Sequence, residues 1–281
     1  MDRRQKLVEV FEDTQRLYRE NPFLSKAIQA AKAATKLYEA DDYPDIPGSL
    51  EADGTIAVTK HKTFESAISI HAVHPDWKIA VLNFASATNP GGGVRTGSSA
   101  QEEGLCRCST LYPTLTQDWV WQKYYQKNRD AHTNLHTDAC IYSPGIVICK
   151  TDEAYPERME EKDWVSVDVI SCAAPNLRRR PSNSHNPEYG TPAKISSAEL
   201  YKLHLKRAKH TLHIAAVNGA DALVLGAFGC GAFANDPQVV AKAYRDTLQD
   251  YKHYFRYIEF AVYCRADETA NYDAFKRMLL G

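Results

Sequence analysis

The chain has 281 residues, 44% of them hydrophobic and 25% charged, with a formal net charge of −1. That composition belongs to a globular protein of one large domain, or a core with a small attachment, and it excludes a global field that draws the chain to nucleic acid or an acidic membrane. No apolar run approaches the ~20 residues of a membrane helix, Met1-Asp-Arg-Arg-Gln-Lys6 lacks the apolar segment of a secretory signal, and the seven cysteines fit neither a zinc ribbon nor a disulfide framework.

Residues 1–40 read as helical. Leu7, Val8, Phe11, Leu17 and Tyr18 form a first apolar face, Asn21-Pro22 breaks it, and an Ala-rich helix is expected from Leu24 to Glu39. Pro44, Pro47 and Gly48 mark a loop. Residues 1–50 are expected to form an N-terminal helical extension with a packing role, and residues 51–281 one compact unit. Within that unit Thr55–Val58 predicts a short strand, Phe64–His71 a helix and Ile79–Phe84 a buried strand.

Three consecutive glycines, Gly91, Gly92 and Gly93, follow that strand. Without Cβ atoms they let backbone N–H groups approach a bulky anion closely. Glu102 and Glu103 then stand where a helix is expected to begin, since Leu105, Cys108, Leu111 and Tyr112 recur at helical spacing until Pro113. Each half has an ordinary structural reading, a tight turn and acids complementing a helix dipole. Together they suggest a ligand carrying both a diphosphate and a bond to be cut.

Residues 114–140 are polar and aromatic, with Trp119, Trp121, Tyr124 and Tyr125, and are expected to cover the sheet as helix and loop; one of these rings is a candidate to stack on a base. A turn-bearing strand is expected over Ala139–Cys149 and a β-branched strand over Val165–Cys172. Residues 176–195, with Arg178-Arg-Arg180, read as a long exposed loop whose arginines attract incoming phosphates or simply face solvent. Ser196 and Glu199 have capping-box spacing ahead of a long helix that Gly219 stops. The buried strand Ala222–Gly226 leads into a second glycine-rich loop, Gly229-Cys-Gly-Ala-Phe233; Asp236-Pro237 opens a helix, and Ile258–Cys264 is a last buried strand. This βαβ order predicts parallel strands. The whole is an α/β fold with a mixed sheet. Two glycine loops, each at the C-terminal end of a buried strand, lie where α/β folds hold ligands and clamp one diphosphate from both sides.

The run Asn89-Pro-Gly-Gly-Gly93, a spacer and Gln101-Glu-Glu103, with Ala227-Phe-Gly-Cys-Gly-Ala-Phe-Ala-Asn-Asp-Pro237 later, resembles microbial-type poly(ADP-ribose) glycohydrolases. The resemblance implies a macrodomain-like three-layer α/β/α fold and hydrolysis of ribose–ribose O-glycosidic bonds of poly(ADP-ribose), with ADP-ribose and ADP-ribosylated proteins as partners and neither cofactor nor metal. It implies that Glu103 is the catalytic acid, that Glu102 binds ribose hydroxyls and that Gln101 holds the loop. It further implies that Asn89 contacts the distal ribose, that Gly91, Gly92, Gly93, Gly229, Cys230, Gly231 and Ala232 clamp the diphosphate, and that Phe233 packs on the substrate. The spacer 94–100 receives no role. One carboxyl with a pKa raised toward neutral can act as acid and then base on an oxocarbenium-like transition state, and mutual repulsion of two adjacent carboxyls, with desolvation, favours protonating one of them.

Two other readings stay open, a macrodomain that binds ADP-ribose without cutting it and a hydrolase of single ADP-ribose units. A nicotinamide-dependent dehydrogenase is more distant, because no G-x-G-x-x-G follows a strand with an acid about 20 residues on. His71 and His74, and His132, His136 and Asp138, lack zinc-like spacing and read as surface or capping residues. Cys106 and Cys108 read as packing, and reduced thiols point to the cytoplasm, or the nucleus of a eukaryote.

Overall fold

The computed structural model describes residues 2–181 and 190–281; residues 182–189, part of the expected loop 176–195, lie outside the described residues. Helix α1 (Arg3–Glu20) and α2 (Pro22–Ala34) meet at Asn21, whose side chain caps α2 by accepting from Leu24 N at 3.1 Å. The sequence predicts helix to Glu39, but α2 stops at Ala34 and Lys36–Tyr38 forms strand β1. Thr35 turns extended, and the chain gains backbone pairing with a distant strand, which outweighs local helix propensity.

Strand β2 (Thr55–Thr59), helix α3 (Thr63–Val73), strand β3 (Ile79–Phe84) and helix α4 (Gln101–Cys108) follow. The expected helical run through Leu111 to Pro113 breaks at Ser109, which is extended and bridges Ile148 in antiparallel fashion. Pro113 sits instead in the first turn of α5 (Tyr112–Leu115), where its missing N–H costs nothing. Helix α6 (Asp118–Val120), a π-helical stretch (Trp121–Gln126) and α7 (Lys127–Asp130) run on to strand β4 (Cys140–Ile148), which carries an irregularity between Ser143 and Ile146. Strand β5 (Val165–Cys172), helix α8 (Ser197–Val217), strand β6 (Ala222–Leu225), helix α9 (Pro237–Leu248), strand β7 (Tyr257–Ala261) and helix α10 (Ala270–Leu280) complete the chain.

Among the described residues seven strands make one sheet, in the order β1-β4-β5-β3-β6-β7-β2. The run from β5 to β2 is parallel, and β4 and β1 are antiparallel at one edge. Alternate strand residues face opposite layers. Leu82, Ile170, Leu223 and Phe260 pack with α8, α9 and α10 through Leu212, Tyr244 and Phe275. Val81, Val169 and Val224 pack on the other side with Phe64, Leu105 and Tyr125. The result is a three-layer α/β/α fold. No helix among the described residues is long and apolar enough to cross a membrane.

Helix α1 is fastened to α4 and its surroundings by polar contacts in a buried setting. Thr14 Oγ1 donates to Arg107 O at 2.6 Å, and the Tyr18 hydroxyl donates to Ser109 O. The Lys150 side chain, 2% exposed, reaches Val10 O at 2.9 Å and Asp13 Oδ2 at 2.9 Å. Asp13 also takes two hydrogen bonds from Arg158 and one from Arg16. The first residues of the chain therefore brace the helix that carries the acidic pair.

Candidate active site

Strands β3 and β6 are parallel neighbours, so the loops that leave their C-terminal ends lie side by side at one end of the sheet. That is where an open α/β sheet leaves a crevice for ligands. Between β3 and α4 the chain passes Asn89 to Gly93, makes a 3-10 turn (Val94–Thr96), and returns so that α4 begins with Gln101, Glu102 and Glu103.

Gln101 ties this return to the sheet. Its Oε1 accepts from Phe84 N at 2.8 Å, and its Nε2 donates to Leu82 O at 2.7 Å and Thr63 Oγ1 at 3.0 Å. Glu102 is 3% exposed and accepts from Ser86 N at 2.8 Å and Asn83 Nδ2 at 3.3 Å. Burial pushes its carboxyl up to about 8 against the pull of the Ser86 N–H, and the charge of Glu103 adds to the rise. Glu103 is 7% exposed; its Oε1 accepts from Gly93 N at 2.8 Å, while Oε2 is buried with no hydrogen-bond partner among the described residues. An acceptor left open in this way is expensive unless something else fills it. Asn89 Nδ2 donates to Gly92 O, which closes the loop on itself.

Gly92, at φ +56°, lies directly over both acids: a Cβ there would collide with Glu103 Oε1 and stand 3.2 Å from Glu102 Oε2. Gly92→Ala is expected to keep the fold, since a left-handed alanine costs only about 1–2 kcal/mol, but to displace the Glu103 carboxyl. Loss of roughly 100-fold in turnover is expected, with a melting temperature shifted by only a few degrees; an alanine variant with near wild-type turnover would contradict this packing.

The linkage of Glu102 gives a second expectation. Its folded pKa is raised, so its stabilising proton is fully present below the unfolded value, ~4.3, and is lost as pH rises through about 8. The stability of the wild type should therefore fall, relative to Glu102→Gln, across that window, by roughly a few kcal/mol in all. Denaturant unfolding at acid and alkaline pH measures the gap; a gap that does not change with pH would remove the buried neutral carboxyl from the account.

The second loop is built around Asn235, a residue that nothing in its sequence setting marks out. Asn235, 2% exposed, donates through Nδ2 to Pro175 O at 2.7 Å, Gly229 O at 3.0 Å and Phe233 O at 3.2 Å. Its Oδ1 lies 2.8 Å from His204 Nε2 on α8. Gly229 has φ +78°, and a Cβ would stand 2.6 Å from Ala174 Cβ and 2.8 Å from Asn235 Nδ2, so only glycine closes this turn. Gly231 and Ala232 are exposed along the loop, and Cys230 is half-buried with its thiol raised by burial. Phe233 is half-buried, with the Arg178 guanidinium 5.6 Å from its ring centre. Arg178 is itself held by Asn176 Oδ1 at 3.0 Å and Pro181 O at 3.0 Å, so it braces Phe233 and is not simply a solvated loop residue.

Arg107 is a further residue missed in the sequence. It stands one helical turn after Glu103, is 3% exposed and donates from Nη1 to Ser98 O at 2.7 Å. Burial lowers its pKa, and the nearby Glu103 charge opposes that shift. The i,i+4 spacing from Glu103 was the available signal.

Other expected residues lie elsewhere. Tyr124 and Tyr125 are core residues, 1% and 0% exposed, and offer no face for a base. His74 stacks on Trp77 at 3.6 Å, and His136 donates from Nδ1 to Ala174 O at 2.9 Å. Asp138 pairs with Arg207 at 2.8 Å and Lys206 at 3.2 Å. Among the described residues no group of three His, Cys, Asp or Glu side chains is placed to hold a metal.

A mixed sheet with helices on both faces, and two glycine-bearing loops leaving the ends of neighbouring parallel strands, the first of them over a buried acidic pair, defines a macrodomain-like fold. The family model for the catalytic domain of microbial-type poly(ADP-ribose) glycohydrolases matches residues 7–151. The solved poly(ADP-ribose) glycohydrolase from Thermomonospora curvata is similar over 98% of this chain and 99% of its own, at 28% identity and a TM-score of 0.83. Its complex with the inhibitor ADP-HPD is similar over 97% and 99%, at 29% identity and a TM-score of 0.81. The Deinococcus radiodurans enzyme in complex with ADP-ribose is similar over 90% of this chain and 96% of its own, at 33% identity and a TM-score of 0.74. A comparison with curated proteins gives no match. The chain belongs to the microbial-type poly(ADP-ribose) glycohydrolase family.

Proposed function

We propose that this protein hydrolyses the ribose–ribose O-glycosidic bonds of poly(ADP-ribose) and releases ADP-ribose, with Glu103 as the acid and then the base. The observation that carries this reading is the Glu103 carboxyl beneath Gly92, one oxygen fixed by Gly93 N–H and the other buried without a hydrogen-bond partner among the described residues. With its proton on Oε2, the Glu103 carboxyl gives that proton to a glycosidic oxygen placed there as the bond to the anomeric carbon breaks, and is left as the carboxylate. The oxocarbenium-like sugar then receives water, and the same carboxyl takes the proton back. Burial holds Glu102 neutral at neutral pH, which equips it both to donate to and accept from ribose hydroxyls. Asn89 would contact the distal ribose, and Gly91 to Gly93 with Gly229 to Ala232 would line the diphosphate. Phe233, braced by Arg178, would close on the sugar.

No metal or cofactor enters this scheme. The seven thiols, all free, favour a reducing compartment, the cytoplasm or the nucleus of a eukaryote. The test sets purified protein against polymer, singly ADP-ribosylated protein and free ADP-ribose. Release of ADP-ribose from polymer supports the proposal. Cleavage of single modifications alone supports a hydrolase of that class, and binding without cleavage a reader.

A further inference from the structure

One side chain in the spacer between the glycines and the acidic pair is held in a fixed pose. Arg95 is exposed on the 3-10 turn, two residues from Gly93, and is the single cation between Asn89 and Glu103. Its Nε donates to the Tyr112 hydroxyl at 2.7 Å, and its guanidinium carbon lies 5.5 Å from the centre of the Tyr112 ring. Tyr112 is itself immobilised. It is 7% exposed and meets Phe11 of α1 edge-on at 5.0 Å. The same ring runs under the first glycine, since a Cβ at Gly91 would stand 2.7 Å from Tyr112 Cδ2. One ring thus sets both the backbone of the anion loop and the cation beside it. Both Nη groups of Arg95 are left without a hydrogen-bond partner among the described residues. Two further arginines near the loop are committed elsewhere: Arg107 is buried and donates to Ser98 O, and Arg129 donates from Nε to Thr88 O at 2.8 Å.

We infer that Arg95 is a phosphate-binding arm of this site, a guanidinium oriented by Tyr112 to take a diphosphate oxygen of the substrate. The inference rests on the proposed glycohydrolase reading. Its physical basis is preorganisation. An exposed arginine ordinarily loses rotamer freedom when it binds, and here the Tyr112 contacts have already removed that freedom while leaving the planar fork edge open for two parallel hydrogen bonds. The diphosphate has two possible sources, the ADP-ribose unit held by the glycine loops or the neighbouring unit across the scissile bond.

The test compares wild type with Arg95→Met, Arg95→Lys and Tyr112→Phe, reading ADP-ribose affinity by calorimetry and kcat and KM on polymer at several salt concentrations. Arg95→Met is expected to weaken binding about 10–100-fold, the loss of a charge-assisted hydrogen bond, with kcat largely kept and the salt dependence flattened by about one unit of slope. Weaker ADP-ribose binding assigns the phosphate to the bound unit. A higher polymer KM with unchanged ADP-ribose affinity assigns it to the neighbouring unit. Tyr112→Phe keeps the ring under Gly91 and removes only the anchor, so a smaller loss in the same direction is expected, and Arg95→Lys should recover part of the charge effect. Unchanged affinity, KM and salt slope in Arg95→Met would overturn the inference. So would a fall in kcat alone, with a lowered melting temperature, because Arg95 would then only hold the loop. Wild-type protein that neither binds ADP-ribose nor cuts polymer would sink the glycohydrolase reading, and this one with it.

Discussion

Glu103→Gln is expected to lower polymer turnover by about 10²–10⁴-fold while ADP-ribose affinity stays within a few-fold. The glutamine carbonyl can still accept from Gly93 N, the bond that Glu103 Oε1 makes at 2.8 Å, so the loop keeps its shape. What disappears is the proton. The amide that replaces Oε2 cannot protonate the leaving oxygen, nor later take a proton from water, and the binding contacts of the two loops stay in place. Steady-state release of ADP-ribose from polymer, beside calorimetric binding of ADP-ribose, separates the two effects. A variant that cuts at near wild-type rate would remove Glu103 from the chemistry, and one that loses binding in proportion would make it a structural residue.

The second large effect concerns stability. Asp13→Ala should cost about 3 kcal/mol, the low end of the range for stranding a buried charge, because Lys150 is 2% exposed and would keep only Val10 O as a partner. The low end applies because Asp13 is itself 26% exposed. Adding Lys150→Met to the alanine variant removes the stranded ammonium and should restore most of the loss. The Arg158 hydrogen bonds, ahead of those from Lys150 and Arg16, hold the Asp13 carboxyl well below the usual carboxylate range. A depressed folded pKa stabilises above the unfolded value, ~3.9, and the benefit fades as pH falls below it. Wild type and Asp13→Ala should therefore converge in acid. Denaturant titrations at neutral and acid pH check both statements; a single variant within about 1 kcal/mol of wild type would mean that the pair behaves as a surface contact.

These effects were unevenly visible in the sequence. Strands β3 and β5 could be read to the residue, since runs such as Val165–Cys172 are β-branched and buried on both faces. Strand β1 could not, because three residues become a strand only through pairing with Tyr142, Ile141 and Cys140 about a hundred positions away. The break at Ser109 has the same origin, a bridge to Ile148. In the candidate site, the glycine turn and the acidic pair beneath it stood out in the sequence, because close backbone approach and acid–base chemistry each demand particular residues. The supports were not. Asn83 sits inside an apolar strand and binds both Glu102 and Ser171 Oγ, so the one polar residue in that run was the clue. His204 and Arg207 interrupt the inward face of α8 and are buried at 1% and 0%. Their partners, Asn235 and Asp138, meet them only in the folded chain.

The central claim is that an open carboxyl oxygen at position 103 faces the linkage to be cut. A crystal soaked with ADP-ribose tests it most directly. The account predicts the diphosphate over both glycine loops and Glu103 Oε2 within about 2.6–3.2 Å of the oxygen on the anomeric carbon of the distal ribose. A ribose turned away from the acidic pair, with that oxygen still unpartnered, would contradict it.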